Sequence, residues 1–348
     1  LQLEEHVALA PRTTLGVGGP ARYFVEVESE EQLIEALAWA EGRGVPVRVL
    51  GGGSNLLIND DGVEGLVLAI GISGVRELAQ ASGSDTVRLC AGAGENWDTL
   101  VLRAVRAGLS GIEGLSGVPG SVGATPIQNV GAYGQEVAET VVRVRAIDRH
   151  SRQAVEFTNG ACRFSYRDSF FKSEAPERYV ITEVEFALRR GTPAAPCYPE
   201  LARALTEHGY DAPSSAELRE VVLGLRRSKS MLLEPSDENA RSCGSFFLNP
   251  IVTARVAERV RALAAPASPP AYPQPDGRIK LAAAWLIEHS GFTKGQRDGR
   301  AGISNKHALA LVAHDGASAA DVKRLAQRIQ HGVRERFGIE LVPEPVFW

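Results

Sequence analysis

An α+β fold divided into two or three compact units is what this 348-residue sequence predicts. Three observations lead there. The length exceeds one comfortable hydrophobic core. Strand-like and helix-like segments alternate without the regular strand–helix–strand rhythm of a doubly wound parallel sheet. Glycine is in surplus, 36 residues against the usual ~7%, and much of it gathers where strand-like runs end.

Ser29 followed by Gln32 forms a capping-box pattern ahead of Leu33, Ile34, Leu37 and Ala40 at helical spacing, with Gly42 and Gly44 as stop signals, which predicts a helix over 30–42. The β-branched run 45–50 then reads as a strand cut off by Gly51-Gly52-Gly53, and 66–70 reads as a second strand. From 75 to 190 strands dominate, at 87–91, 141–148, 154–157 and 179–188, with one helix opened by Asn96 and ended by Gly108. After the Pro/Ala-rich loop 191–199, helices are expected at 199–208 and 216–227, the second opened by Ser214 and Glu217. The remainder mixes short strands with helices near 252–264, 279–290 and 318–337, interrupted by the proline-rich stretch 266–275.

A net charge of −4 and a pI near 6.1 leave no basic footprint for nucleic acid. Residues 1–11 are acidic and lack an apolar leader pattern, and the longest uninterrupted apolar run, 281–287, falls far short of the ~20 residues that span a bilayer. A soluble cytoplasmic protein with no membrane or nucleic-acid partner is expected, as a monomer. Cys90, Cys162, Cys197 and Cys243 form no C-x-x-C pair, and no histidines stand at zinc-like spacing, so free thiols and no metal are expected.

Neither Gly16-Val17-Gly18-Gly19 nor Gly51-Gly52-Gly53-Ser54-Asn55 fits the dinucleotide or P-loop signatures. Consecutive glycines after a strand nevertheless allow backbone N–H groups to converge on phosphate oxygens, and Ser54 and Asn55 add side-chain donors; the same residue types also build ordinary turns. The segment 114–134 has glycine at 114, 117, 120, 123, 131 and 134 and proline at 119 and 126, with few charges and many small apolar groups. An exposed loop would be more polar and a disordered linker more charged, so this segment suits close backbone approach to something large and planar.

Together with Thr13-Thr14-Leu15-Gly16, Cys162-Arg163-Phe164-Ser165-Tyr166-Arg167-Asp168-Ser169-Phe170-Phe171-Lys172, Gly244-Ser245-Phe246-Phe247-Leu248-Asn249-Pro250 and Ala282-Ala283-Ala284-Trp285-Leu286-Ile287, these segments follow one family in order along nearly the whole chain. The sequence resembles the UDP-N-acetylenolpyruvoylglucosamine reductase family, in its long-loop (type I) class. The resemblance implies a vanillyl-alcohol-oxidase/PCMH-type FAD-binding fold of two α+β subdomains, 1–74 and 75–225, plus a C-terminal α+β substrate-binding domain, 226–348, whose last ~10 residues return to the active site. It further implies noncovalent FAD, NADPH as reductant, and UDP-N-acetylglucosamine enolpyruvate as substrate.

Under that resemblance FAD is held by Gly51, Gly52, Gly53, Ser54, Asn55, Ser116, Gly117, Pro119, Gly120, Gly123, Ala124, Ile127, Gln128, Asn129 and Gly131. The catalytic residues are Arg167, whose planar fork suits a carboxylate; Ser245, the proton donor; and Glu344, which assists it. Substrate contacts fall to Tyr133, Tyr166, Tyr198, Arg226, Lys229, Asn249, Tyr272 and Lys294. The sequence departs from the family pattern at Pro345 and Val346, where valine and a polar or basic residue usually follow the glutamate, and at His307, where a glutamine or glutamate is frequent. Two other readings remain open at this level: an FAD-dependent sugar or alcohol oxidase of the same superfamily, and a nucleotide-sugar binding protein without catalysis.

Overall fold

The computed structural model describes residues 1–79, 84–195 and 198–348, so the predicted thiol Cys197 lies outside the described residues. Two compact units divide the chain. One comprises Leu1–Val7, Ala21–Gly52 and Glu64–Arg227; the other comprises Ala8–Pro20, Gly53–Val63 and Ser228–Trp348.

In the first unit a four-stranded sheet takes the order Glu4–Ala8, Pro20–Val27, Val63–Ile70, Val47–Leu50. Its last two strands run parallel, with Val47 opposite Leu66 and Leu50 opposite Ala69. The helix Glu30–Glu41 is capped by Ser29, whose hydroxyl accepts from the Gln32 amide at 3.3 Å, and it buries Leu33, Ala36, Leu37 and Ala40 with Val25, Val27, Leu66 and Leu68. Gln32 returns its own bond to the Glu28 amide, at 2.8 Å. Sequence reading assigns no helix or strand before residue 30, yet Glu4–Ala8 and Pro20–Val27 are strands.

A second, antiparallel sheet follows in the order Ala154–Thr158, Val141–Asp148, Tyr179–Arg190, Thr86–Gly92, Val75–Glu77, with Leu109–Ser110 also pairing with Tyr179–Arg190. One face packs on the Trp97–Arg106 helix, whose Trp97, Leu100, Val101 and Ala104 are buried against Leu89, Ala91, Val184 and Phe186. The other face carries charge: Arg76 and Arg143 pair with Glu183, Arg88 and Arg143 with Glu185, and Arg145 with Glu30 at 2.8 Å. Helices Pro199–Glu207 and Ser215–Ser228 close the unit around Leu201, Leu205, Leu218 and Val222.

The second unit is organised on the helix Ala319–Phe337, which is capped by Ser318 and buries Val322, Leu325, Ile329 and Val333. Asp60 reinforces its start, accepting from the Ala319 and Ala320 amides at 2.8 and 3.0 Å, as expected for a carboxylate at the positive end of a helix dipole. Three-stranded antiparallel sheets, Ile251–Val252 with Ile279–Leu281 and Ala271–Pro273, and Arg297–Asp298 with Ala301–Ile303 and Leu311–Ala313, surround it. The helix expected over 279–290 is shorter, Ala283–Glu288, because Ile279–Leu281 is drawn into the sheet, with Lys280 opposite both Ile251 and Tyr272.

Candidate active site

In the first unit the glycine turn 51–52 ends the Val47–Leu50 strand and meets the loop 120–124 backbone to backbone. A Cβ on Gly52 would stand 2.6 Å from the Gly120 Cα and 2.9 Å from the Ser121 nitrogen, and one on Gly51 would stand 2.8 Å from Ser121 Oγ and 3.5 Å from the Ala124 methyl. The loop is fixed from behind. The Trp97 amide donates to Gly120 O (3.1 Å), the Val122 amide to Glu95 O (2.8 Å) and the Gly123 amide to Ala93 O (2.9 Å). Gly117, at φ +71°, donates to Asp98 Oδ1 at 2.6 Å, while the buried Ser116 hydroxyl donates to Glu113 O at the same distance. Pro119 is half-buried, and Ile127 packs on the sheet core while its carbonyl accepts from Ser169 Oγ at 2.6 Å.

Asn129, Tyr133 and Arg167 all hold left-handed backbone, at φ +46°, +49° and +55°, a conformation that costs such residues energy and persists only where surroundings enforce it. The Asn129 amide donates to Glu136 Oε2 (2.6 Å) and Ser165 O (3.0 Å), and its Oδ1 accepts from the Ala138 amide (3.1 Å), so it knits the loop together. Arg167 sits in the turn closed by Ser165 and Asp168; its guanidinium donates to Gly131 O at 2.5 Å and Asn129 O at 3.4 Å and lies 5.6 Å from the Tyr166 ring centre. Tyr133 and Tyr198 meet edge to face at 5.6 Å. Burial pushes the Tyr133 phenol up to about 12, with Arg226 opposing the rise, and burial lowers the pKa of Arg226 itself.

In the second unit Gly53 (φ +61°), Ser54 and Asn55 form a loop pressed on residues 12–14: a Cβ on Gly53 would stand 2.0 Å from Arg12 O. The Thr14 amide donates to Gly53 O at 3.1 Å, and its hydroxyl reaches Ser242 O at 2.7 Å and Ser54 O at 3.3 Å. Beyond Ser242, Gly244 at φ +73° turns the chain into an extended segment in which Ser245 bridges Ala310 and Phe247 bridges Pro343. The Glu344 amide donates to Phe246 O at 2.9 Å, so Ser245 and Glu344 stand on adjacent extended segments. Burial, and then the negative charge of Glu344, push the Cys243 thiol up to about 12.

The remaining predicted contacts have other neighbours. Asn249 Oδ1 accepts from the Ala283 amide at 2.9 Å at the start of the Ala283–Glu288 helix, Lys294 is ion-paired with Glu288 at 3.6 Å, and Tyr272 is half-exposed on its strand. Lys229 follows directly on the Ser215–Ser228 helix and is half-buried, as is Gln128 in its loop. The His307 main chain makes the local turn, its amide donating to Ser304 Oγ at 3.3 Å and its carbonyl accepting from the Ala310 amide at 3.1 Å. Asp98 and Arg219, which brace the Gly117 loop, are missed by sequence reading, with Asp98 in the first turn after the cap Asn96 as their local signal, while Thr14, which braces the Gly53–Asn55 loop, is visible there only as part of the Thr13-Thr14-Leu15-Gly16 motif.

The residue types fit FAD. The backbone-to-backbone contact of Gly52 with Gly120 and Ser121 leaves main chain rather than side chains at these positions, and the apolar Ala124, Pro126, Ile127 and Val130 follow before Gly131. Residues 21–154 match the family model described as an FAD binding domain, which makes this an FAD-binding protein of the α+β class. Residues 234–348 match the C-terminal domain of UDP-N-acetylenolpyruvoylglucosamine reductase.

Proteins bearing that name are 48% identical in Thermobifida fusca, over 98% of this chain and 96% of the relative, and 44% identical in Pseudomonas aeruginosa, over 99% and 98%. The crystal structure of the reductase from Thermus caldophilus superposes with a TM-score of 0.67 at 28% identity, covering 100% of this chain and 99% of that one. The chain belongs to the UDP-N-acetylenolpyruvoylglucosamine reductase family. FAD is its cofactor. Among the described residues no helix is long and apolar enough to cross a membrane.

Proposed function

We propose that the chain reduces UDP-N-acetylglucosamine enolpyruvate to UDP-N-acetylmuramate with NADPH as electron source, in the cytoplasm and as a monomer, supplying a precursor of peptidoglycan. The observation that carries this reading is the adjacency of Ser245 and Glu344 through the Glu344 amide–Phe246 carbonyl bond of 2.9 Å, inside a chain of this family.

Bound FAD supplies the hydride for the terminal carbon of the enolpyruvyl double bond. Negative charge then develops on the adjacent carbon and its carboxylate. Arg167 orients that carboxylate with its planar fork and stabilises the charge, a preorganised contribution of the kind worth ~2.7–4 kcal/mol. Ser245 donates the proton to the carbon beside the carboxylate; an unactivated hydroxyl suffices because the acceptor is a strongly basic carbanion. Glu344 assists that transfer, and the Ser245 oxygen takes its replacement proton from solvent water. Lys229, Lys294 and Arg226 hold the diphosphate as cations, Tyr198 and Tyr133 cover it, and Tyr166, Asn249 and Tyr272 complete the sugar-nucleotide contacts.

The purified protein is expected to be yellow, to bleach with NADPH, and to regain colour with the enolpyruvyl substrate without oxygen. Recolouring by oxygen alone at catalytic rates would assign an oxidase instead, and a colourless protein that takes up no FAD would sink the reading. Ser245→Ala is expected to leave NADPH bleaching intact and to slow recolouring by substrate by orders of magnitude; equal effects on both half-reactions would remove Ser245 from the donor role.

A further inference from the structure

We propose that Asn55 and Pro345 are positioning residues that fix the main chain of Glu344 to the Gly53–Asn55 loop, so that cofactor binding on that loop and the placement of Glu344 are coupled. The inference rests on the role given to Glu344 above and deepens it.

Asn55 closes on both sides of Pro345. Its side-chain amide donates to Glu344 O at 3.2 Å, and its own carbonyl accepts from the Val346 amide at 3.0 Å. Pro345 has no N–H to offer between those two points, and its ring is buried. A proline also confines the residue before it to extended backbone, so Pro345 narrows the conformations open to Glu344. Pro343 stands on the other side, with its φ fixed by its ring, and bridges Phe247.

Glu344 is thereby tied at its N–H to Phe246 and at its C=O to Asn55. Past Pro345 the chain continues as a parallel pair, Val346 with Leu56 and Phe347 with Leu57, and the Trp348 amide donates to Leu57 O at 3.1 Å. The loop that supplies Asn55 is itself braced by Thr14, whose hydroxyl also reaches Ser242, three residues before Ser245. Any ligand that orders Gly53–Asn55 therefore also orders Glu344, and by thermodynamic reciprocity whatever orders Glu344 strengthens ligand binding at the loop.

The test begins on the unmodified chain. Amide exchange at Val346 and Trp348 is followed in the FAD-loaded protein and in the protein stripped of FAD; slower exchange with FAD supports the coupling, and equal exchange overturns it. In Pro345→Ala the affinity of the stripped protein for FAD, read by flavin fluorescence, is expected to fall by about tenfold. Recolouring of the NADPH-bleached enzyme by substrate at saturation slows by a similar factor, with KM for the substrate and the rate of NADPH bleaching unchanged.

A merely structural proline would lower Tm without separating the two half-reactions, and that outcome overturns the proposal. Glu344→Gln is run beside it. If Glu344→Gln recolours at the wild-type rate, the catalytic reading of Glu344 fails, whereas slow Glu344→Gln with unaffected Pro345→Ala removes the positioning role alone.

Discussion

Arg219 grips Asp98 with both arms of its guanidinium, Nη1 to Oδ1 at 2.6 Å and Nη2 to Oδ2 at 2.7 Å, and Asp98 Oδ1 also accepts the Gly117 amide at 2.6 Å. One carboxylate thus joins the Ser215–Ser228 helix to the loop that carries the proposed FAD contacts Ser116 and Gly117. Burial opposes ionisation of Asp98, but the Arg219 and Gly117 bonds outweigh it and hold its carboxyl below the ordinary value. A lowered folded-state pKa contributes stability above the unfolded value near 3.9 and loses it as pH falls through the folded value.

Asp98→Ala is therefore expected to cost about 2–3 kcal/mol at neutral pH, because it strands a buried guanidinium and an amide together. The difference between wild type and variant should shrink as pH falls below about 4. Urea unfolding at pH 7 and pH 3 measures both, and an undiminished gap at pH 3 would assign the loss to packing instead.

Two glycine substitutions should move stability in opposite directions. A methyl at Gly52 meets only main-chain atoms, Gly120 Cα at 2.6 Å and the Ser121 nitrogen at 2.9 Å, which cannot rotate aside. Gly52→Ala must part the two loops, at about 1–3 kcal/mol, and weaken FAD uptake. A methyl at Gly224, in the Ser215–Ser228 helix, meets nothing within 4 Å. Gly224→Ala should stabilise by about 0.5–1 kcal/mol and leave FAD affinity alone. Thermal melts and flavin titration of the two variants check the contrast.

What the sequence revealed and what it hid divide along contact distance in the chain. Ser29, Asn96 and Ser214 each cap the helix expected of them, and the Ser214–Glu217 box is reciprocal, because a helix start is decided within four residues. Lys280 reads as helical by its apolar neighbours but is a strand residue, since Ile251 and Tyr272 compete for it from 29 and 8 positions away.

The site divides in the same way. Motifs such as Gly51-Gly52-Gly53 and Tyr166-Arg167-Asp168 are visible as strings. The braces that hold them, Asp98 with Arg219 at a separation of 121 residues and Thr14 with Ser242 at 228, leave no periodic trace. Polar pairs of that kind depend on where the fold returns the chain, which spacing alone does not encode.

Arg167 combines a proposed catalytic fork with a structural duty, since its guanidinium also holds Gly131 O at 2.5 Å from a left-handed backbone position. Arg167→Lys keeps the charge and loses the planar, two-point geometry. Recolouring of the reduced enzyme by substrate should slow by about 10²–10³, the usual cost of losing a preorganised donor. Stability should fall by only about 1 kcal/mol for the Gly131 bond. Stopped-flow traces beside urea melts separate the two; a stability loss without the kinetic one would confine Arg167 to the loop.

Cys90, Cys162 and Cys243 are buried, and burial is the leading cause that pushes each thiol up to about 12, joined at Cys90 by Glu183 and at Cys243 by Glu344. At pH 8 about one such group in ten thousand is a thiolate, the form that reacts. Brief iodoacetamide treatment of the folded protein followed by peptide mapping should leave all three unmodified, while treatment in denaturant labels them. The same protons set an alkaline limit. The unfolded chain releases them near pH 8.5 and the folded chain keeps them to about 12, so the folded state binds more protons between those values and stability must fall as pH rises through the window. The slope is at most about 1.4 kcal/mol per thiol per pH unit. Replacing Cys162, the one shifted by burial alone, with alanine should flatten the decline in urea-determined stability between pH 9 and pH 10.5, at the expense of a cavity that lowers stability at every pH.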